Sequence, residues 1–321
     1  MSFLSALRES AAPAVAVEIG SARVSAATLE WRGNQPVIAA HATEPLPEGA
    51  LVPSLTAANA VDAAAVTGAL SRLFEKIGRP RRIGLILPDV VAKVSIVRFE
   101  QVPARTQDLD QLVRWQVRKS APFAIEDAQV SYVPGLQTDG HEFVVTLARR
   151  GVIEEYERLC AAAGAHAGLV DVATLNVINA VLAGSGAPTG DWLLVNIAED
   201  YSSIALLRGP ALIFFRNRAA DTDGTLADLV HQSAMYYEDR LKGGGFSRVI
   251  LAGAAAAASH PSFEIDELRR SLQERLTTPV EFVDPRTAVA LTDRITAAPA
   301  LLDALTPLIG LLLRDRAEVP A

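Results

Sequence analysis

Ala14-Val-Ala-Val-Glu-Ile-Gly-Ser-Ala-Arg-Val-Ser-Ala-Ala-Thr-Leu29 is the stretch on which the reading of this chain turns. It reads as an apolar strand, a tight turn at Ile19-Gly20-Ser21, and a second strand returning beside the first. Glycine at position 20 is expected to supply φ > 0 or to let a ligand approach the backbone closely, and Ser21 adds a hydroxyl at the turn tip. Converging N–H groups in such a turn can form a nest for an anion.

The same plan returns 178 positions later as Trp192-Leu-Leu-Val-Asn-Ile-Ala-Glu-Asp-Tyr-Ser-Ser-Ile-Ala-Leu-Leu207. The two stretches align without a gap, so that Glu18 lies over Asn196, Ile19 over Ile197 and Gly20 over Ala198. One glycine hairpin would be commonplace; two of one design predict a duplicated architecture with a cleft between the halves. With 321 residues the chain can bury two cores.

Half of the residues are hydrophobic and 21% are charged, a composition too apolar for disorder. A net charge of −7 argues against a nucleic-acid partner held through phosphates. The single cysteine, Cys160, excludes an internal disulfide and a cysteine zinc site, and its place in an expected helix favours a buried structural thiol. The histidines, at 41, 141, 166, 231 and 260, have no metal-ligand spacing. No apolar run approaches the roughly 20 residues of a membrane span. The first nine residues lack the basic and apolar regions of a signal peptide and read as a frayed terminus.

Taken in order, residues 15–19, 24–31 and 37–42 read as a three-strand meander. An amphipathic helix opened by Asp62 follows, with Val66, Leu70, Leu73, Phe74 and Ile77 on one face, and then a short buried strand at 83–87. Residues 91–148 have their own character: a strand to 99, a helix over 106–120 stopped by Ala121-Pro122-Phe123, and two strands at 128–134 and 143–148 joined across Thr138-Asp139-Gly140. This is expected to be an inserted subdomain exposed on one flank. A helix at 173–182 is expected to close the first half, and 184–190 to be a linker. The second half repeats the meander, adds a helix over 225–242 capped by Gly243-Gly244-Gly245, and ends in a helix over 301–314 expected to close that half.

Several stretches carry a family resemblance. They are Val102-Pro103; Leu112-Val-Arg-Trp-Gln-Val-Arg-Lys-Ser-Ala-Pro-Phe123; Leu229-Val-His-Gln-Ser-Ala-Met-Tyr-Tyr-Glu238; Val280-Glu-Phe-Val-Asp-Pro285; and Pro307-Leu-Ile-Gly-Leu-Leu-Leu-Arg314. In their order the chain resembles the PilM family of type IV pilus assembly proteins, related to the cell-division protein FtsA. The resemblance implies an α/β, actin-like fold of two βββαβα halves. It implies residues 1–185 as the first half, with an inserted partner-binding subdomain at about 91–163, and 186–321 as the second half, with a smaller subdomain at about 221–283. It also places the nucleotide loops at the two hairpins. The family's first loop reads Asp-Ile-Gly-Ser, its Asp helping to position Mg²⁺; here Glu18, one methylene longer, is the metal candidate, with Gly20 and Ser21 beside it. The family's second Asp-Ile-Gly is Asn196-Ile197-Ala198, which loses a charge and adds a Cβ where phosphate would approach. Glu199 or Asp200 could supply the missing acid, though acids at surface turns are common. The adenosine-side glycine pair is reduced to Gly253-Ala254. Phosphoryl transfer depends on placing charge and metal, so the expectation is weak binding of ATP and Mg²⁺, no catalytic residue, and a scaffold or pseudo-ATPase role.

The resemblance further implies a cytoplasmic protein held at the inner membrane by the short tail of a PilN-like bitopic protein, in a groove beside the inserted subdomain, and linked to the pilus assembly motor, with homo-oligomerisation as a further expectation. The candidate partner residues are Trp115, Arg118, Pro122 and Phe123, where a kinked apolar corner adjoins a basic helix face; Trp115 could equally be core. The rivals are an active ATP-dependent kinase or ATPase of the same fold, against which Asn196 speaks, and the cytoplasmic domain of a type II secretion L-type protein. A terminal amphipathic membrane helix in the manner of FtsA is disfavoured by Arg314-Asp-Arg316 and Pro320.

Overall fold

The computed structural model describes residues 13–137, 140–186, 188–220, 225–257, 265–292 and 295–317. The N-terminal nine residues and Thr138-Asp139 of the expected turn lie outside them. Strands β1 (Val15–Ile19), β2 (Arg23–Arg32) and β3 (Gln35–Pro45) form the expected meander, and β4 (Arg82–Leu87) and β8 (His166–Val172) extend it in parallel on the other side of β1. A two-residue strand, β14 (Ala290–Leu291), adds to β3, giving the order β14-β3-β2-β1-β4-β8. The second sheet repeats the plan with β9 (Asp191–Ile197), β10 (Tyr201–Arg208), β11 (Ala211–Ala219), β12 (Arg248–Ala252) and β13 (Val280–Phe282), in the order β11-β10-β9-β12-β13. The duplication read from two hairpins therefore extends to the five-strand plan of each half.

Helix α1 (Ala63–Lys76) begins where the Asp62 side chain accepts a hydrogen bond from Ala65 N at 2.9 Å, which satisfies one of the donors that a helix start leaves unpaired. Its Val66, Leu70, Leu73 and Phe74 pack with Tyr156, Leu159 and Cys160 of α3 (Arg150–Ala162) on the outer face of the first sheet. Burial pushes the Cys160 thiol up to about 12, so it is an inert core group. On the second half, α5 (Leu226–Leu241) and α7 (Ile265–Leu276) cover the outer face in the same way. Helix α5 ends with Lys242 itself in the left-handed region at φ 55°. Gly243 has a packing reason instead, since a Cβ there would run into the Tyr237 ring.

The two inner faces depart from expectation. Helix α4 (Ala173–Ser185) sets Val177, Ile178 and Val181 against Trp192, Leu194, Ala205 and Leu207 of the second sheet. The last helix, α8 (Pro299–Ala317), sets Leu305, Leu308, Ile309 and Leu312 against Ala16, Leu29, Ile38 and Ile86 of the first. Helix α8 was expected to close the second half and instead covers the first sheet, while α4 packs against both halves, with Ala173 and Ala180 in the core of the first and Val177, Ile178 and Val181 in that of the second. Between residues 302 and 313 α8 is buried nearly all round, so its sequence carries no single apolar stripe to say which sheet it faces. The helices cross at Gly310, where a Cβ would meet the Asn176 carbonyl.

The insert is a separate sheet of order β5-β7-β6, from β5 (Ala92–Phe99), β6 (Ala128–Pro134) and β7 (His141–Arg149). Helix α2 (Thr106–Arg118) buries Val113 and Val117 on one face, against Val97, Phe99, Phe143 and Val145. The opposite face, through Val94 and Val144, joins the core of the second half. The exposed flank is thus the outer side of α2 together with β6, whose Gln129, Ser131 and Val133 are exposed, while β5 and β7 are covered on both faces.

Candidate functional site

The two hairpins meet. Gly20 N donates to Arg23 O and Ala198 N donates to Tyr201 O, each at 2.9 Å, so the two turns close in the same way. Glu18 faces Ser25 across its strand pair as Asn196 faces Ser203 across the other. Glu18, Gly20, Ser21, Asn196, Ala198, Glu199 and Gly253 all line one cavity between the halves, together with Arg23, Asp200 and Asp303. Its volume is about 80 Å³, against the several hundred of sites that enclose a nucleotide-sized ligand. Gly20 is not in the left-handed region, and a Cβ there would make only an ordinary contact with Arg23 O, which corrects half of the reason given for it. Ala198 in the matching place makes the same turn. Gly253 is different: at φ 76° a Cβ would strike the Ile197 carbonyl, so this glycine is required by packing of the second loop.

Acidic groups dominate the cleft. Desolvation pushes the Glu18 carboxyl up to about 7, with Arg23 opposing the shift and Asp89 reinforcing it. Burial likewise raises Asp200, beside which the Ser21 hydroxyl favours the charged form without making a hydrogen bond of ordinary geometry. Behind the cavity Asp89 is wholly buried. Its carboxylate accepts from Thr174 N at 2.9 Å, from Ser203 Oγ at 2.6 Å and from Thr174 Oγ1, and burial holds it above the ordinary carboxylate range. Asn196 Nδ2 donates to Thr174 Oγ1 at 2.9 Å. At the other lip Asp303 accepts from Ala255 N at 2.7 Å, taking an amide of the adenosine-side loop. Among the described residues no group of three acidic, histidine or cysteine side chains is placed to hold a metal. Asp89, Thr174, Ser203 and Asp303 were not foreseen. An acid following Leu87-Pro88 reads as an ordinary turn, and partners far apart in sequence give no local signal.

The partner candidates divide. Trp115 is 64% exposed, so it is no core residue, and Arg118 and Pro122 are exposed with it. Phe123 is half-buried against the α2–sheet core. A second concavity, about 570 Å³, opens between the insert and α3. Its walls include Glu126 and Asp127 of the insert, and Arg150, Glu154 and Arg158, which form an i, i+4, i+8 stripe on α3. None of these charges was singled out in the sequence, where each is an unremarkable helix or turn residue.

A family model described as type IV pilus assembly protein PilM matches residues 16–239. Among solved structures, the chain is similar to a PilM-PilN type IV pilus biogenesis complex, with TM-score 0.77 and 19% identity over 96% of this chain and 99% of that one. It is also similar to the cytoplasmic domain of EpsL, an inner membrane component of the type II secretion system of Vibrio cholerae, with TM-score 0.49 and 10% identity over 96% and 95%. A Bacteroides thetaiotaomicron protein of actin-like ATPase fold and unknown function gives TM-score 0.48 and 9% identity over 84% and 90%. No curated protein matches in sequence.

Proposed function

This chain belongs to the type IV pilus assembly protein PilM family, with the actin-like fold, and we propose that it is a scaffold of pilus assembly rather than an ATPase. In this reading it sits in the cytoplasm, takes the short cytoplasmic tail of a PilN-like inner-membrane protein, and through it joins the assembly motor. The observation that carries the proposal is the groove of about 570 Å³ beside the inserted sheet, where Arg150, Glu154 and Arg158 face Glu126 and Asp127. Charges of both signs along the groove suit an extended peptide of alternating polarity, whose main chain could also pair with a sheet edge. No helix among the described residues is long and apolar enough to cross a membrane, which fits recruitment by a partner.

The cleft supports the second part of the reading, that nucleotide binds weakly and without turnover. Its small volume, Asn196 in place of an acid and Asp303 on the Ala255 amide all favour a site that has lost its ligand. The test for the partner is calorimetric titration of a synthetic peptide with the sequence of a PilN-like cytoplasmic tail. Arg150→Glu with Arg158→Glu is expected to weaken binding at least about tenfold, with the salt dependence of a charged contact. A specific observation, the bare Trp115, favours the α2 face as a second contact, so Trp115→Ala with Arg118→Ala belongs in the same titration. If neither pair changes the affinity, the tail binds elsewhere.

A further inference from the structure

We propose that the buried polar node around Asp89 is a latch that ties the two halves together and fixes the seat of the inserted subdomain. Asp89 opens a single 3₁₀ turn (Asp89–Val91) between β4 and β5. Its carboxylate receives Thr174 N, Thr174 Oγ1 and Ser203 Oγ, and its carbonyl receives Asn217 Nδ2 at 3.0 Å. A fifth hydrogen bond, Asn196 Nδ2 to Thr174 Oγ1, completes the node. Asp89 and Thr174 stand on the first half; Asn196, Ser203 and Asn217 stand on three places of the second sheet. Asp89, Thr174 and Ser203 are fully buried, so water does not readily replace the bonds to the Asp89 carboxylate when one is lost.

Proton bookkeeping shows why position 196 is an amide. The Thr174 hydroxyl has one proton, and it goes to the Asp89 carboxylate. Its oxygen can then only accept, which requires a donor from the second half. Asparagine supplies that donor. A carboxylate there has no N–H to give, and its charged form would face the Asp89 carboxylate across one shared hydroxyl. The substitution that weakens the cleft for metal is therefore the one that the latch needs.

The latch also reaches outward. The chain leaves the Asp89 turn directly into β5, and β5 packs beside β11, the strand that carries Asn217. Releasing the node would free the root of the inserted sheet together with the second hairpin. This inference is independent of the partner reading and would stand if the tail bound elsewhere.

Hydrogen exchange followed by mass spectrometry on the full chain tests it. Thr174→Val keeps the side-chain shape and removes the shared hydroxyl; Asn196→Asp removes the donor. Each is expected to speed exchange in β5 and around residues 197–203 about tenfold, the scale of one lost buried hydrogen bond, while α1 keeps wild-type protection. Combining Asn196→Asp with Asp89→Asn reverses donor and acceptor around the hydroxyl, with the Ser203 hydroxyl turning to accept from the new amide, and is expected to recover part of the protection lost in Asn196→Asp. The latch is overturned if β5 and residues 197–203 stay protected in both single variants. Exchange that rises equally in α1, or a swapped pair that gains nothing over Asn196→Asp, overturns it as well. Should Thr174→Val not fold, the swapped pair alone decides.

Discussion

Glu18 shows what one methylene and one desolvated cleft do to a carboxylate. Its carboxyl is raised from 4.5 to about 7 by burial, with Arg23 pulling down and Asp89 pushing up. The folded state therefore holds this proton more tightly than the unfolded chain does. The resulting stabilisation is complete below about pH 4.5 and is lost as pH rises through about 7. Glu18→Gln removes that dependence, so at pH 8 the variant is expected to be more stable than wild type by about 1–3 kcal/mol. At pH 5 the two should nearly coincide. Thermal unfolding at the two pH values checks this, and equal gains at both would show that the carboxyl is not desolvated. Buried Asp89 and Asp171 are shifted in the same direction, so some slope remains in the variant. The sequence made Glu18 and Asn196 legible because strand pairing is local and the hairpins align residue for residue. It could not reveal Asp89, because a buried carboxylate with hydroxyl and amide partners looks, in one dimension, like a turn acid.

At the scale of elements, α2 separates two kinds of candidate that its sequence presents together. Trp115 and Arg118 point to solvent, while Phe123 rests half-buried on the core formed with Val113, Val117 and the inserted sheet. Phe123→Ala is expected to lower stability by about 1–2 kcal/mol, less than the loss at a fully buried ring. Trp115→Ala should stay within about 0.5 kcal/mol of wild type. Urea titration separates them, and the reverse ranking would mean that the Trp115 ring is covered in solution. Helices α4 and α8 give the sharper lesson. Both helices were expected from their apolar runs, yet the sheet that α8 covers was misassigned. A helix buried on most sides has no polar face to orient it, and which sheet it closes is decided by the crossover of the whole chain. Their contact at Gly310 is correspondingly close: Gly310→Ala would push the helices apart at the Asn176 carbonyl and is expected to cost about 1–3 kcal/mol, in the range of overpacked cores. A variant as stable as wild type would show that the crossing can relax.

For the whole molecule, the question is whether two halves joined by crossed helices still open for a ligand. The cleft is about 80 Å³ as it stands, and two of its polar side chains are already paired within the chain: Asn196 with Thr174, and Asp303 with Ala255 N. A nucleotide would have to part the halves first. Its apparent affinity then falls by the fraction of molecules that are open, however well the open cleft would fit it. The surrounding charge adds to this penalty, because Glu18, Asp200 and Asp303 face Arg23 as the cation among the cavity-lining residues. A Mg²⁺ ion would have to offset the repulsion at a site where the second carboxylate is missing. Calorimetry with MgATP is therefore expected to show no saturable binding below millimolar concentration, and phosphate release far below 1 s⁻¹, the low end of ordinary enzymes. Asn196→Asp with Ala198→Gly should move both terms in one direction, unfastening Thr174 while restoring the charge and the open backbone at the second loop. Binding of Mg-nucleotide is expected to strengthen in that variant, with Mg²⁺ required for the gain. Tight MgATP binding by the unaltered chain would mean that the closed cleft opens readily, and that the self-pairing of its walls does not govern access.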